Sequence, residues 1–214
     1  MKPLLGLIVA ALLVAAIGLT GCATSSEASN FGTMRESAHQ AALFLSMHGG
    51  KITCSGTAIG PHAVLTAKHC FDDYDAVTIA GLPVVVKQVL DDKNDHVILI
   101  VDRQFVHFAS LAPPGTQLEQ MARVYIFGNP SGYVDLYREG YVAGSVSTDH
   151  GTATVYDLNG FYGDSGSAIF DMQGRVVGVV TNMEAQFDRF AELKFMLSRP
   201  LHFDRADLQL AASA

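Results

Sequence analysis

Ser165 sits in the run Gly163-Asp164-Ser165-Gly166-Ser167, and His69 lies near the end of the apolar run Leu65-Thr66-Ala67-Lys68-His69-Cys70. A serine hydroxyl is a poor nucleophile near neutral pH and needs a base to take its proton. Histidine is suited to that task, since an unperturbed imidazole titrates near pH 6.5. The histidine in turn needs a carboxylate to orient it. The carbonyl under attack needs backbone N–H donors for the charge that develops on its oxygen. The glycines around Ser165 permit a tight turn in which main-chain amides converge on one point. Candidate carboxylates between the two segments are Asp91, Asp92, Asp95 and Asp102. Asp91 and Asp92 fall in a polar turn and read as solvated. Asp102 ends an apolar run beside Arg103, whereas Asp95 stands where that run begins.

Short β-rich runs must position these groups. Strands are expected over residues 42–47, 52–59, 63–67, 84–90 and 96–101, with turn signals at Gly49-Gly50 and Gly60-Pro61-His62. Leu111-Ala112-Pro113-Pro114-Gly115 cannot continue a strand or helix, so it marks an internal boundary. Further strands are expected over 123–127, 141–147, 152–156, 167–170 and 176–181. A C-terminal helix is expected over 203–212, with Asp204 near its start. Many short strands with frequent turns imply a sandwich or barrels, and two barrels would place a run of strands on either side of the Pro-Pro joint.

Composition agrees. The 214 residues are 49% hydrophobic and 16% charged, the balance of a chain with a packed core. Acidic residues outnumber basic ones, 21 to 14, which argues against a binder of nucleic-acid phosphates. No CxxC or HExxH pattern occurs, and the remaining histidines are scattered, so neither metal nor cofactor is called for.

The N-terminus reads as an address. Lys2 precedes an uncharged apolar run over residues 4–19, followed by small and polar residues, the layout of a secretory signal. Leu19-Thr20-Gly21-Cys22 resembles the bacterial lipobox, in which the chain is cut before a cysteine that then carries lipid. That resemblance implies a signal over residues 1–21, lipid on Cys22, and an exported protein held on a bacterial membrane, facing the periplasm or the cell exterior. By resemblance to the sorting rule of enteric bacteria, Ala23 in the next position favours the outer membrane. Residues 22–36 are small, polar and aperiodic and read as a flexible tether. With Cys22 lipidated, Cys54 and Cys70 remain, and an oxidising compartment predicts a disulfide between them.

The segment Thr66-Ala67-Lys68-His69-Cys70 resembles the histidine motif of chymotrypsin-like serine proteases, and Gly163-Asp164-Ser165-Gly166-Ser167 resembles their nucleophile motif. Between them, Asn94-Asp95-His96-Val97-Ile98-Leu99 resembles the family's aspartate segment. The order His69, Asp95, Ser165 is the family's order, and Cys54 and Cys70 match its disulfide around the histidine. The resemblance implies an all-β protein of two six-stranded antiparallel barrels, residues 37–112 and 113–205, with a helix or tail over 203–214. It implies His69 as base, Asp95 as its orienter and Ser165 as nucleophile, with the N–H groups of Gly163 and Ser165 as oxyanion hole. A protein or peptide would be the substrate, and a monomer is expected.

The sequence also departs from the animal digestive enzymes. The short His69–Asp95 interval and the ending Gly-Ser-Ala look more like compact bacterial members, the glutamyl endopeptidases and their relatives. No Ile-Val-Gly-Gly-like segment is present to supply an amino group for Asp164. A buried unpaired charge is costly, so Asp164 needs another partner, and Arg138 is the candidate. By the same resemblance the specificity pocket has Asn159 at its floor and Thr181, Asn182 and Met183 on one wall. A neutral floor argues against a tryptic preference and for small or uncharged side chains. Two other readings compete: a catalytically silent protein-binding module on the same fold, and a serine esterase.

Overall fold

The computed structural model describes residues 24–72, 76–149, 151–187 and 192–214. An N-terminal helix, α1 (Thr24–Ala41), leads into β1 (Ala42–Met47), β2 (Ile52–Ala58), β3 (Ala63–Ala67), β4 (Val77–Ile79), β5 (Leu82–Val84), β6 (Val86–Asp91) and β7 (His96–Val101). The second half runs β8 (Arg123–Gly128), β9 (Leu136–Thr148), β10 (Gly151–Asp157), β11 (Ala168–Asp171), β12 (Val176–Val179), β13 (Asn182–Phe187) and β14 (Glu192–Ser198), then α2 (Arg205–Ser213).

The strands form two seven-stranded antiparallel sheets, ordered β5-β4-β1-β2-β3-β7-β6 and β12-β11-β8-β9-β10-β14-β13. Seven strands per sheet reconcile with six per barrel. β5 and β6 lie at opposite ends of the first sheet, yet only Val85 separates them in the chain. The second sheet repeats the device, its end strands β12 and β13 separated by Val180 and Thr181. In each half one run of chain bends and serves both ends, so the sheet curls back on itself.

Alternation along the strands builds three cores. In β7 every residue is buried. Val97, Leu99 and Val101 point into the first barrel with Leu45, Val64 and Ile79. Ile98 and Ile100 point the other way, into a cluster shared with Tyr125, Phe127, Phe170 and Val179 of the second half. A strand covered on both faces must be apolar throughout, as the sequence His-Val-Ile-Leu-Ile-Val is after its first residue. The third core, around Ile126, Val142, Tyr156 and Met196, fills the second barrel.

The linker joins the halves where the prolines predict a boundary. Ala112 N–H donates to Val176 O at 2.8 Å and Val176 N–H to Ser110 O at 2.9 Å. Cys54 on β2 and Cys70, just beyond β3, form the expected disulfide. α2 begins with the Asp204 carboxylate accepting the Asp207 N–H at 2.8 Å, a side-chain N-cap, and it buries Ala211.

α1 departs from the expected tether. Helix covers 24–41, and its last turns bury Ala38 and Ala41 in the shared core. Arg35 donates to the Tyr137 hydroxyl at 2.6 Å and to Glu139 at 3.2 Å, both on β9, and its guanidinium lies over the Tyr137 ring. Small residues that read as flexible alone become ordered once two alanines fit a tight interface. The apolar run and Cys22 lie outside the described residues. Among the described residues no helix is long and apolar enough to cross a membrane.

Candidate active site

His69 stands on a short 3-10 turn, Lys68–Phe71, that directly continues β3. The disulfide fixes its neighbour Cys70 to β2. Asp95 lies one residue before β7, with φ of +69°, a left-handed conformation that aspartate adopts more readily than most non-glycine residues. Asp92 ties together the turn around it. The Asp92 carboxylate accepts the N–H of Asn94 at 2.8 Å, of His96 at 3.2 Å and of His202 at 3.1 Å, and pairs with His96 Nδ1 at 2.7 Å. The side chains of both Asp92 and His96 are fully buried. The expectation of a solvated Asp92 is therefore corrected: backbone amides and an imidazole replace water around it. Asp91 is largely covered as well, paired with Lys68 at 2.9 Å and Lys93 at 2.8 Å.

β3 and β7 are paired, Ala67 opposite His96, so the two ends carrying His69 and Asp95 meet. Asp95 Oδ2 lies 2.8 Å from His69 Nδ1, Oδ1 accepts the His69 N–H at 2.9 Å, and Asp95 O accepts the Lys68 N–H at 2.9 Å. Burial alone would push the Asp95 carboxyl up. The hydrogen bonds and charge of His69 outweigh it and hold the group below the usual carboxylate range. The Asp92 carboxyl is likewise held down against its burial by His96 and the surrounding amides.

Ser165 is on the turn between β10 and β11, half-buried. Gly163 and Gly166 both have positive φ, +101° and +88°. A Cβ at Gly163 would overlap Asn129 O, and one at Gly166 would overlap Ser55 O, so neither position admits a side chain. The turn is held by Gly166 N–H to Val180 O at 2.8 Å, Ser167 N–H to Asp164 O at 2.9 Å and Ser55 N–H to Ser165 O at 2.8 Å. Among the described residues the N–H groups of Gly163 and Ser165 have no partner.

Asp164 is 1% exposed. Arg138 on β9 meets it with both terminal nitrogens, Nη1 to Oδ2 at 2.6 Å and Nη2 to Oδ1. Phe161 N–H adds a third bond at 2.8 Å. The bidentate fork supplies the partner that Asp164 requires.

His69 and Ser165 line one cavity of about 620 Å³. Thr181, Asn182 and Met183 form part of its wall. Asn159 does not reach it: its side chain is outside the lining, the residue is exposed, and its carbonyl accepts from Arg138 Nη1 at 3.0 Å. The chain turns so that Gly160, not Asn159, faces the cavity. Met196 of β14 lies against Gly160, where a Cβ would strike its Cε. Val180 and Met196 therefore make that surface apolar. Met196 escapes sequence reading because it lies on β14, a strand that reading did not assign. Ser55 and Asn129 are also buried polar residues beside the turn, without a chemical motif of their own.

Residues 54–179 match the model of the trypsin-like peptidase domain. No curated protein matches the chain. Among solved structures, it is similar to the Rv3671c protease of M. tuberculosis in its inactive form, with 20% identity over 77% of this chain and 86% of that one and a TM-score of 0.62. The active form of the same protease gives 20% identity, 77% and 78% coverage and a TM-score of 0.61. A serine-to-alanine variant in the inactive form gives 21%, 77% and 84%, and 0.61. At these identities the structures bear on the fold, and it is the domain match over 54–179, together with two barrels that bring the quoted motifs into one cavity, that places the chain in the trypsin-like peptidase family.

Proposed function

We propose that this peptidase is a serine endopeptidase working through an acyl-enzyme. Asp95 fixes the His69 ring through Nδ1, leaving Nε2 to take the Ser165 proton as its oxygen attacks the substrate carbonyl. His69 then returns the proton to the departing amine, and a water repeats the sequence to release the acyl group. The N–H groups of Gly163 and Ser165 receive the oxyanion. The observation that carries the reading is His69, doubly bonded to Asp95, lining the same cavity as Ser165. The Arg138–Asp164 pair supports a serine turn that is formed without a new amino terminus, so signal removal is the one cleavage required. The apolar surface of Val180, Met183 and Met196 suits a small or uncharged substrate side chain. Lipid on Cys22 would hold the enzyme on a bacterial membrane, the outer membrane favoured by Ala23, facing the periplasm or the cell exterior.

The test is cleavage of a diverse peptide pool by the full chain in detergent, beside Ser165→Ala. Cleavage by the native chain alone, together with labelling by a serine-directed phosphonate, is expected, with uncharged residues before the cut. Neither cleavage nor labelling would leave a silent binding module. Hydrolysis of esters but not peptides would make it an esterase.

A further inference from the structure

Gly163 is the glycine of the candidate oxyanion hole, at φ of +101°, and its flanking peptides would turn freely in isolation. Both peptides are pinned. Tyr162 O accepts the Ser131 N–H at 2.6 Å, which, by peptide planarity, sends the Gly163 N–H to the opposite side. Gly163 O accepts the Ser55 hydroxyl at 2.8 Å. Ser55 is 0% exposed, and its Oγ also accepts from Asn129, from Nδ2 at 2.8 Å and from the backbone N–H at 3.1 Å. With two donors aimed at its lone pairs, the hydroxyl proton is directed to Gly163 O. Asn129 is itself held, its Nδ2 also to Leu43 O at 3.2 Å and its Oδ1 by the Asp135 N–H at 2.9 Å. Ser55 also follows Cys54 of the disulfide, and its N–H bonds Ser165 O. One residue of the first barrel thus ties the carbonyls of Gly163 and Ser165, in the second, to the segment bonded to the histidine turn.

We propose that Ser55 and Asn129 are positioning residues for the oxyanion hole: the Asn129–Ser55–Gly163 relay fixes the Gly163–Asp164 peptide and, with the Tyr162–Gly163 peptide anchored at Ser131, restrains the rotation about Gly163 that would turn its N–H from the cavity. This rests on the serine-peptidase reading. Neither residue touches substrate, so their loss acts on the transition state through Gly163.

The test compares the full chain with Ser55→Ala and Asn129→Asp on one peptide amide substrate. It includes a peptide boronate, whose oxygen occupies the oxyanion hole, and thermal denaturation. A lost oxyanion donor costs about 10²–10³ in kcat. Losing the support of that donor is expected to lower kcat by roughly 10- to 100-fold, with KM within about threefold and boronate affinity falling in parallel with kcat. Asn129→Asp is expected to act likewise, because a carboxylate would draw the Ser55 proton away from Gly163 O. Folded variants that keep kcat and boronate affinity within about twofold of wild type would overturn the proposal. So would a rise in KM that accounts for the whole loss. If neither variant folds, a structure of the wild type with bound boronate decides. Ser55 Oγ on Gly163 O with Gly163 N–H on the boronate oxygen upholds the relay, and a turned Gly163 peptide overturns it. A wild-type chain that neither cleaves peptides nor takes the phosphonate sinks the peptidase reading itself, a result distinct from these.

Discussion

The Asp164 carboxylate is the buried charge next to Ser165. The Arg138 guanidinium answers it with a planar fork. Removing one member of such a pair strands the other, at a cost of about 3–5 kcal/mol. Arg138→Gln is therefore expected to lower the denaturation midpoint by several degrees and to reduce kcat/KM by at least tenfold, since the Ser165 turn is built on Asp164. Arg138→Lys should recover only part of both, because an ammonium cannot form the fork. Thermal denaturation and initial rates on one peptide substrate check this. The need for the pair was legible in the sequence, because no Ile-Val-Gly-Gly-like segment offered Asp164 an amino group and Arg138 stood in the strand region before the Gly140 turn. The environment of Asp92 was not. Two adjacent aspartates in a polar run read as solvent-facing, and only the fold shows that Asn94, His96 and His202 turn their amides onto one of them.

At the scale of elements, the turn from β6 to β7 is the part that delivers Asp95. Asp92 and Asp95 both have carboxyls held below their ordinary range. The stability they contribute is fully present above the ordinary carboxylate pKa, about 4, and is lost as pH falls through their lower folded values. Folding stability is expected to decline below about pH 4. In Asp92→Asn, which removes the charge beside His96 while keeping an acceptor oxygen, the acid decline should be shallower and stability at neutral pH lower. Urea midpoints measured across that range read both. The strands that sequence patterning found best are those with a clear face or two buried faces: 42–47, 63–67 and 96–101 coincide with β1, β3 and β7. β4 and β5 are three residues each, too short for a pattern. β13 reads Asn-Met-Glu-Ala-Gln-Phe, polar enough to pass for a loop, yet it pairs along its length with β14. α1 eluded reading because two buried alanines do not make an apolar stripe.

At the scale of the whole molecule, two barrels meet across a shared apolar cluster, with the cavity opening between segments of both. α1 docks on β9 through Arg35, Tyr137 and Glu139. If Cys22 carries lipid, metabolic labelling with an alkyne fatty acid should mark the full chain and leave Cys22→Ser unmarked. The variant should then leave the membrane fraction while keeping its peptidase rate. The bent runs that close the two sheets carry a further consequence, for behaviour in crowded solution. A sheet end offers unpaired amides and carbonyls to any passing chain. Here one end strand is three residues long with Pro83 at its centre. The other end of that sheet carries Lys87 where the β6–β7 register shifts between Val86 and Gln88. In the second sheet the register of β12 slips at Val177, between Val176 and Gly178. A missing donor, a charge and two bulges deny those ends a straight template, so the design that curls each sheet also guards the enzyme against joining edge to edge with its own copies.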